Sequence, residues 1–216
     1  TMSENIDTLL KESRVYQPTA QTKAAAYIQD YESAYKKSIA DPEGFWSGVA
    51  KELEWFSPWT KVLEWNYPWA KWFVGATCNI AYNCLDRHVK TWRKNKVAII
   101  WVGENDQERV ITYGELYRQV NRCANALKKL GITKGDRITI YLPKVPEQIV
   151  AMLACARIGA IHSVVYSGFS APALANRIQD AEAKLVITAD VGFDRGKVLN
   201  LKSVVDQAVA NSPTVE

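Results

Sequence analysis

From residue 97 onward the chain alternates between short apolar runs and longer segments of helical period, and few folds accommodate that alternation. The runs "KVAIIWVG" and "ERVITY", separated by "ENDQ", read as a β-hairpin. In "TYGELYRQVNRCANALKKLG", Thr112 is placed to cap a helix, Glu115 completes a T-x-x-E capping box and Gly131 stops it. Leu116, Val120, Ala124, Leu127 and Leu130 form its apolar stripe. Then come a strand "RITIYL", a helix "PEQIVAMLACARIG", a strand "IHSVVY", a helix "APALANRIQDA", a strand "KLVIT" and a helix "LKSVVDQAVAN". Near-continuous apolar strands separated by helices are the pattern of a parallel sheet buried on both faces. The expected fold class is therefore α/β, a hairpin followed by a partly parallel sheet with helices on both faces. Right-handed crossovers place the carboxyl ends of such strands on one rim, and ligands bind outside that rim.

The first 95 residues differ in texture, being helical and aromatic, which divides the chain into regions 1–95 and 96–216. The stretch 22–39 reads as one helix with Tyr27, Tyr31 and Tyr35 in a stripe. Asp41 is placed to cap a second helix, with Pro42 in its first position. Next comes "WFSPWTKVLEWNYPWAKWF", in which Pro58 and Pro68 rule out one long helix. Its tryptophans suit either a stacking platform for a ring or, more ordinarily, a seal of a small layer against a larger body. "NIAYNCLDRHVKTW" reads as a returning helix with Leu85, Val89 and Trp92 together. No internal repeat or low-complexity tract occurs.

Composition excludes several classes. With 27 basic and 23 acidic residues the net charge is +4, too balanced for a nucleic-acid face. No apolar run reaches the roughly 18 residues of a membrane helix. The cysteines, Cys78, Cys84, Cys123 and Cys155, form no C-x-x-C pair; they read as buried reduced thiols in a cytoplasmic protein, with no metal site.

Three loops follow the parallel strands: "LPKVPE", "YSGFS" and "TADVGFDRGK". They bring Lys144, Arg195 and Lys197 to one rim, an arrangement suited to an anion. The "YSGFS" turn is no Walker loop, which would be G-x-x-x-x-G-K-[ST]. By itself it reads as a capped corner, with Ser170 placed to cap the next helix and a helix N-terminus able to favour an anion. In "DVGFDRGK", Gly192 and Gly196 read as loosening the backbone, with Arg195 and Lys197 as donors and Asp194 tempering the field; a solvated loop with ordinary surface charges is the plainer reading. His88 and His162 read as packing residues, and no nucleophile–base–acid set is evident.

The stretches "WFVGATCNIAYNCLDRHV", "TYGEL", "GDRITIYLPKVPEQIVAMLACARIGAIHSVVYSGFS" and "LVITAD" closely resemble the acetyl-CoA synthetase family of AMP-forming acetate–CoA ligases, within the adenylate-forming superfamily. The resemblance implies that acetate, ATP and Mg2+ form an acetyl-adenylate, from which the thiol of CoA takes the acetyl group and AMP leaves. It places the phosphate loop, the acetate pocket and a mobile C-terminal domain with the catalytic lysine beyond residue 216. The expectation is an N-terminal portion holding an incomplete sheet and no catalytic residue, inactive alone, partnered by the rest of its own polypeptide and prone to self-association through exposed edges. The resemblance further implies that Tyr166, Ser167 and Gly168, together with Asp194, Arg195, Gly196 and Lys197, contact CoA. Ser167 stands where glycine is usual, and Asp194 where arginine is common. Two alternatives stay open: propionyl-CoA synthetase or a related short-chain enzyme, and a non-catalytic binding or regulatory module of the same fold.

Overall fold

The computed structural model describes residues 14–104 and 106–216. They fall into two compact units, Thr1–Glu52 and Leu53–Glu216, each described by itself.

In the first unit the expected single helix is two. Helix α1 (Ala20–Ala25) is capped by Thr19, and α2 (Tyr31–Ala40) by Asp30, whose carboxylate accepts from Ser33 N at 3.0 Å. The break has a local cause: the Asp30 side chain offers the backbone a cap instead of another helical turn, and Gln29 Nε2 donates to the Ala26 carbonyl. Tyr31 and Tyr35 stack with centroids 6.0 Å apart, while Tyr27 lies outside the helix and donates its hydroxyl to Glu52. Helix α3 (Pro42–Ala50) starts as expected, with Asp41 accepting from Gly44 N at 2.9 Å.

The tryptophan-dense stretch opens the second unit, and it is a hairpin. Strands β1 (Lys61–Asn66) and β2 (Trp69–Val74) pair antiparallel, with Leu63 opposite Trp72 and Trp65 opposite Ala70, across a cis Tyr67–Pro68 bond. Aromatic and β-branched side chains fit a pleated surface better than a helix. Trp55, Trp59 and Phe73 pack on one another at 5.1–5.3 Å, whereas Trp65 and Trp69 are exposed. The returning helix is shortened. A π turn (Tyr82–Asp86), a single turn α4 (Arg87–Val89) and a 3-10 turn (Trp92–Asn95) replace it. The wide turn shifts the helical register, so Leu85 is buried while Trp92 is exposed.

The remaining elements follow the expected order, with one unexpected addition, two short strands in the loop before the last helix. Strands β3 (Val97–Val102) and β4 (Glu108–Thr112) form the hairpin, and α5 (Tyr113–Lys129) starts where Thr112 accepts from Glu115 N at 3.2 Å. Then come β5 (Arg137–Tyr141), α6 (Pro146–Ile158), β6 (Ile161–Val164), α7 (Ala171–Asp180), β7 (Leu185–Thr188), β8 (Gly192–Asp194), β9 (Lys197–Leu199) and α8 (Leu201–Val209). The parallel sheet has the order β6-β5-β7. Its central strand feeds two cores: Ile138 and Ile140 pack with Leu116, Val120, Leu127 and Val150 of α5 and α6, and Tyr141 packs with Leu174, Ile178, Leu201 and Val205 of α7 and α8. Alternation along a strand sends successive side chains to opposite faces, so helices cover both faces. Outer strand β6 leaves Ile161 and Val164 exposed.

The cysteine expectation needs correction. Cys155 is buried, with its thiol pushed up to about 12 chiefly by burial, but Cys78 and Cys84 are exposed. Both lie on the short irregular segment around the π turn, which has no wide apolar stripe to bury them. All four are free thiols.

Candidate functional site

The three strand ends meet at a cleft of about 520 Å3, lined by Pro143 and Lys144 after β5, Tyr166 and Ser167 after β6, and Gly192, Phe193 and Asp194 after β7. Residues Trp101 and Glu104 of the β3–β4 hairpin close its remaining side. A second cleft, of about 570 Å3, includes Ile161 and His162 at the amino end of β6. The carboxyl rim is where open α/β sheets receive ligands; of the sequence-derived residues, Lys144, Tyr166, Ser167 and Asp194 line this cleft, whereas Gly168, Arg195, Gly196 and Lys197 do not.

The lip after β6 is held from beneath. Tyr141 is fully buried, and its hydroxyl lies 2.8 Å from both the Ser167 and Phe169 carbonyls, to which its single proton is shared. Burial raises the phenol's pKa, so it remains a donor. The Tyr166 ring folds over Gly168: a Cβ there would stand 2.4 Å from Tyr166 Cε1. Tyr166 meets Phe169 edge-on at 6.0 Å, and the Arg177 guanidinium covers Phe169 at 4.3 Å. A side chain at Gly168 would therefore have to displace the exposed Tyr166 ring. Ser170 occupies the N-cap position of α7, but its side chain makes no capping bond. Pro172 removes the second amide of the helix but leaves that of Ala173, and the expected hydroxyl cap is not formed.

The lip after β7 is ordered where a loosened loop was expected. Strands β8 and β9 pair antiparallel, with Asp194 opposite Lys197. Between them Arg195 (φ 52°) and Gly196 (φ 73°) are both left-handed, the requirement of a tight type I′ hairpin turn. Gly192 is not a loosening residue either: it is buried, and a Cβ would stand 3.1 Å from Pro143. Arg195 and Lys197 are exposed, and neither is among the residues that line the cleft with Lys144 and Asp194.

Sequence reasoning missed the third wall. Trp101 Nε1 donates to the Lys144 carbonyl at 2.7 Å, and Arg109 pairs with Glu147 at 2.7 Å, tying the β3–β4 hairpin to the loop and helix after β5. At the hairpin tip, Glu104 Oε1 accepts from Arg195 N at 2.7 Å and Oε2 from Gly196 N at 3.0 Å. These two bonds hold the Glu104 carboxyl below its ordinary pKa, Gly196 contributing most. A pairing across 91 positions leaves no local trace. Tyr141 was more accessible: a polar-tipped aromatic at the carboxyl end of a central strand is placed to reach the rim.

His88 and His162 do not join this cleft. Burial chiefly lowers both pKa values, at His88 with help from Arg87 and Arg93, and His162 lines the opposite cleft.

With this geometry the chain can be compared with known proteins. A model described as AMP-binding enzyme matches residues 85–215, well over half of the chain. The chain belongs to the AMP-binding enzyme family. A second model, acetyl-coenzyme A synthetase N-terminus, matches residues 31–84, so the two abut and cover the helical, aromatic and α/β portions. Acetyl-coenzyme A synthetase of Chlorobaculum tepidum is 50% identical over 99% of this chain and 33% of its own length. That of Deinococcus radiodurans is 49% identical over 99% and 33%. The solved acetoacetyl-CoA synthetase from Streptomyces lividans superposes with a TM-score of 0.84 at 29% identity, over 93% of this chain and 34% of that one. The chain therefore spans about a third of the length of these relatives. The mixed hairpins and parallel sheet are those of an adenylate-forming enzyme's N-terminal domain.

Proposed function

We propose that this chain is the front portion of an AMP-forming acetate–CoA ligase and that its rim cleft receives coenzyme A. The carrying observation is the match of 49–50% identity over 99% of the chain to proteins named acetyl-coenzyme A synthetase. On this reading an acetate oxygen attacks the α-phosphorus of ATP and diphosphate leaves. The CoA thiol then attacks the acyl carbon of the adenylate, AMP leaves and the thiol proton goes to solvent. Adenylation converts a poor acyl donor into one with a good leaving group. Magnesium would screen the phosphates of ATP; the described residues offer no cluster of three or more His, Cys, Asp or Glu side chains to hold it, so no metal ligand is assigned. Residues 1–95 form the leading region and 96–216 the first part of the AMP-binding domain. No helix among the described residues is long and apolar enough to cross a membrane, and the reading places the enzyme in the cytoplasm.

Tyr166, Ser167 and Gly168 are the lip that meets the ligand. Arg195 and Lys197 supply positive charge for its phosphates, Gly196 makes their turn possible, and Asp194 limits the net field. None of these residues does chemistry, and the 216 residues alone are expected not to form the adenylate. A charged hydrogen bond contributes about 1.5–3 kcal/mol, less at an exposed rim. Calorimetric titration of the chain with CoA should therefore show binding that weakens several-fold in Arg195→Ala and Lys197→Ala, with the melt unchanged. No binding to the unaltered chain overturns the site, and acetate-dependent ATP–pyrophosphate exchange by the chain overturns its inactivity.

A further inference from the structure

The β8–β9 turn presents two successive backbone N–H groups, of Arg195 and Gly196, to one carboxylate. Consecutive amides converging from a turn form a concavity that binds anions. Here the anion is Glu104, offered by a hairpin fixed independently through Trp101 to the Lys144 carbonyl and through Arg109 to Glu147. The pairing is selective in an informative way. Glu104 sits beside a turn that carries Arg195 and precedes Lys197, yet no ion pair joins it to either cation among the described residues. Its charge is met by the backbone, and the cations stay free. Charge-assisted bonds of this kind are about twice as strong as neutral ones.

We propose that Glu104 is a positioning residue: a built-in anion that fills the backbone nest of the β8–β9 turn, fixes that hairpin against the wall of the cleft, and leaves the Arg195 and Lys197 side chains as the groups that meet a phosphate. Its consequence for ligand binding rests on the CoA reading above; the clamp itself does not. With Glu104 in place the left-handed turn has a permanent partner for both amides. Without it the two N–H groups face solvent, and the cations sit on a hairpin of only three residues per strand. A phosphate reaching the rim finds the nest taken and is held through side chains.

Amide hydrogen exchange and CoA titration of the 216-residue chain test this, with Glu104→Ala and Glu104→Gln. The clamp predicts at least tenfold faster exchange at Arg195 and Gly196 in Glu104→Ala, an intermediate change in Glu104→Gln, and no change at Thr139 or Ile140 in the central strand. It also predicts several-fold weaker CoA binding in Glu104→Ala. Unchanged exchange at Arg195 and Gly196 overturns the proposal. Tighter CoA binding in Glu104→Ala overturns it as well, because Glu104 would then be competing with the ligand for the nest. If exchange quickens but neither the unaltered chain nor its variants bind CoA, the clamp stands and the CoA reading falls.

Discussion

The two lips of the rim cleft are secured by opposite means. The lip after β6 rests on a buried phenol, Tyr141, rooted in the core shared by α7 and α8. The lip after β7 is a short exposed hairpin held from outside by a carboxylate on another hairpin. One contact is part of the packing that makes the domain; the other is a surface contact between two turns. A lip tied to the core opens only when the core does, whereas a lip tied by exposed charge can loosen locally while the fold persists. The cleft thus joins a wall rooted in the core to one held by an exposed carboxylate.

The largest expected effect breaks the first lip. Tyr141→Ala removes a fully buried ring from the second core, and loss of a large buried aromatic costs about 3–5 kcal/mol. The whole domain should melt earlier, which a thermal scan measures directly. Tyr141→Phe keeps the packing and removes only the hydroxyl shared by the Ser167 and Phe169 carbonyls, at a cost of about 1 kcal/mol. Amide exchange in residues 166–170 should then quicken while residues 194–197 stay as they were. Equal change at both lips would mean that the cleft behaves as one unit and the contrast fails.

A smaller effect sharpens the other side. Arg195 holds a left-handed conformation (φ 52°), which costs a residue with a Cβ about 1–2 kcal/mol. Arg195→Gly relieves this and gives back part through chain entropy. The hairpin should be stabilised by somewhat under 1 kcal/mol, seen as slower exchange at Gly196. CoA affinity should fall several-fold at the same time, because the cation is gone. Stability and binding moving in opposite directions would mark Arg195 as a residue kept in strain for its charge; moving together would mark it as structural.

These contrasts explain what was legible in the amino-acid sequence. Apart from β8 and β9, the order of elements from β3 to α8 could be read because each segment carries its own period and stop: Thr112 and Glu115 open α5, and Gly159 (φ 77°) closes α6. The gathering of Lys144, Tyr166 and Asp194 at one cleft followed from topology alone. The resemblance, rather than periodicity, supplied the assignment of Tyr166 and Arg195 to a particular ligand. Illegible features were of three kinds: a local cap that won over helix propensity, a stretch that paired with itself, and a partner far away in the chain. Asp30 broke a helix that propensity favoured, the tryptophan-rich stretch paired with itself as a hairpin, and Glu104 reached a turn 91 residues distant. Ser170 shows the converse, a capping residue in the right position that makes no capping bond.

The smallest effect is a local one, and pH produces it without mutation. Glu104 titrates from a folded-state pKa lowered below its ordinary 4.5, chiefly by the Gly196 amide and then the Arg195 amide. A depressed carboxyl pKa stabilises the contact fully above the unfolded value and loses it as pH falls through the folded one. The charged groups near this contact are Asp194, Arg195 and Lys197 of the β8–β9 hairpin, Lys144 across the cleft and Asp106 in the same turn as Glu104. Lowering pH from 6 to below 4 should therefore shift the Arg195 and Gly196 amide resonances with a midpoint under 4.5. In Glu104→Gln that titration should vanish. The Tyr141 phenol is pushed upward by burial from its ordinary 10.0, so its support is present throughout the acid range and is lost only as pH rises past that value. The Ser167 and Phe169 amides should accordingly stay still in acid. Acid-dependent movement of both lips with one midpoint would show that the carboxylate clamp carries the aromatic wall as well, and that the two are a single mechanical unit.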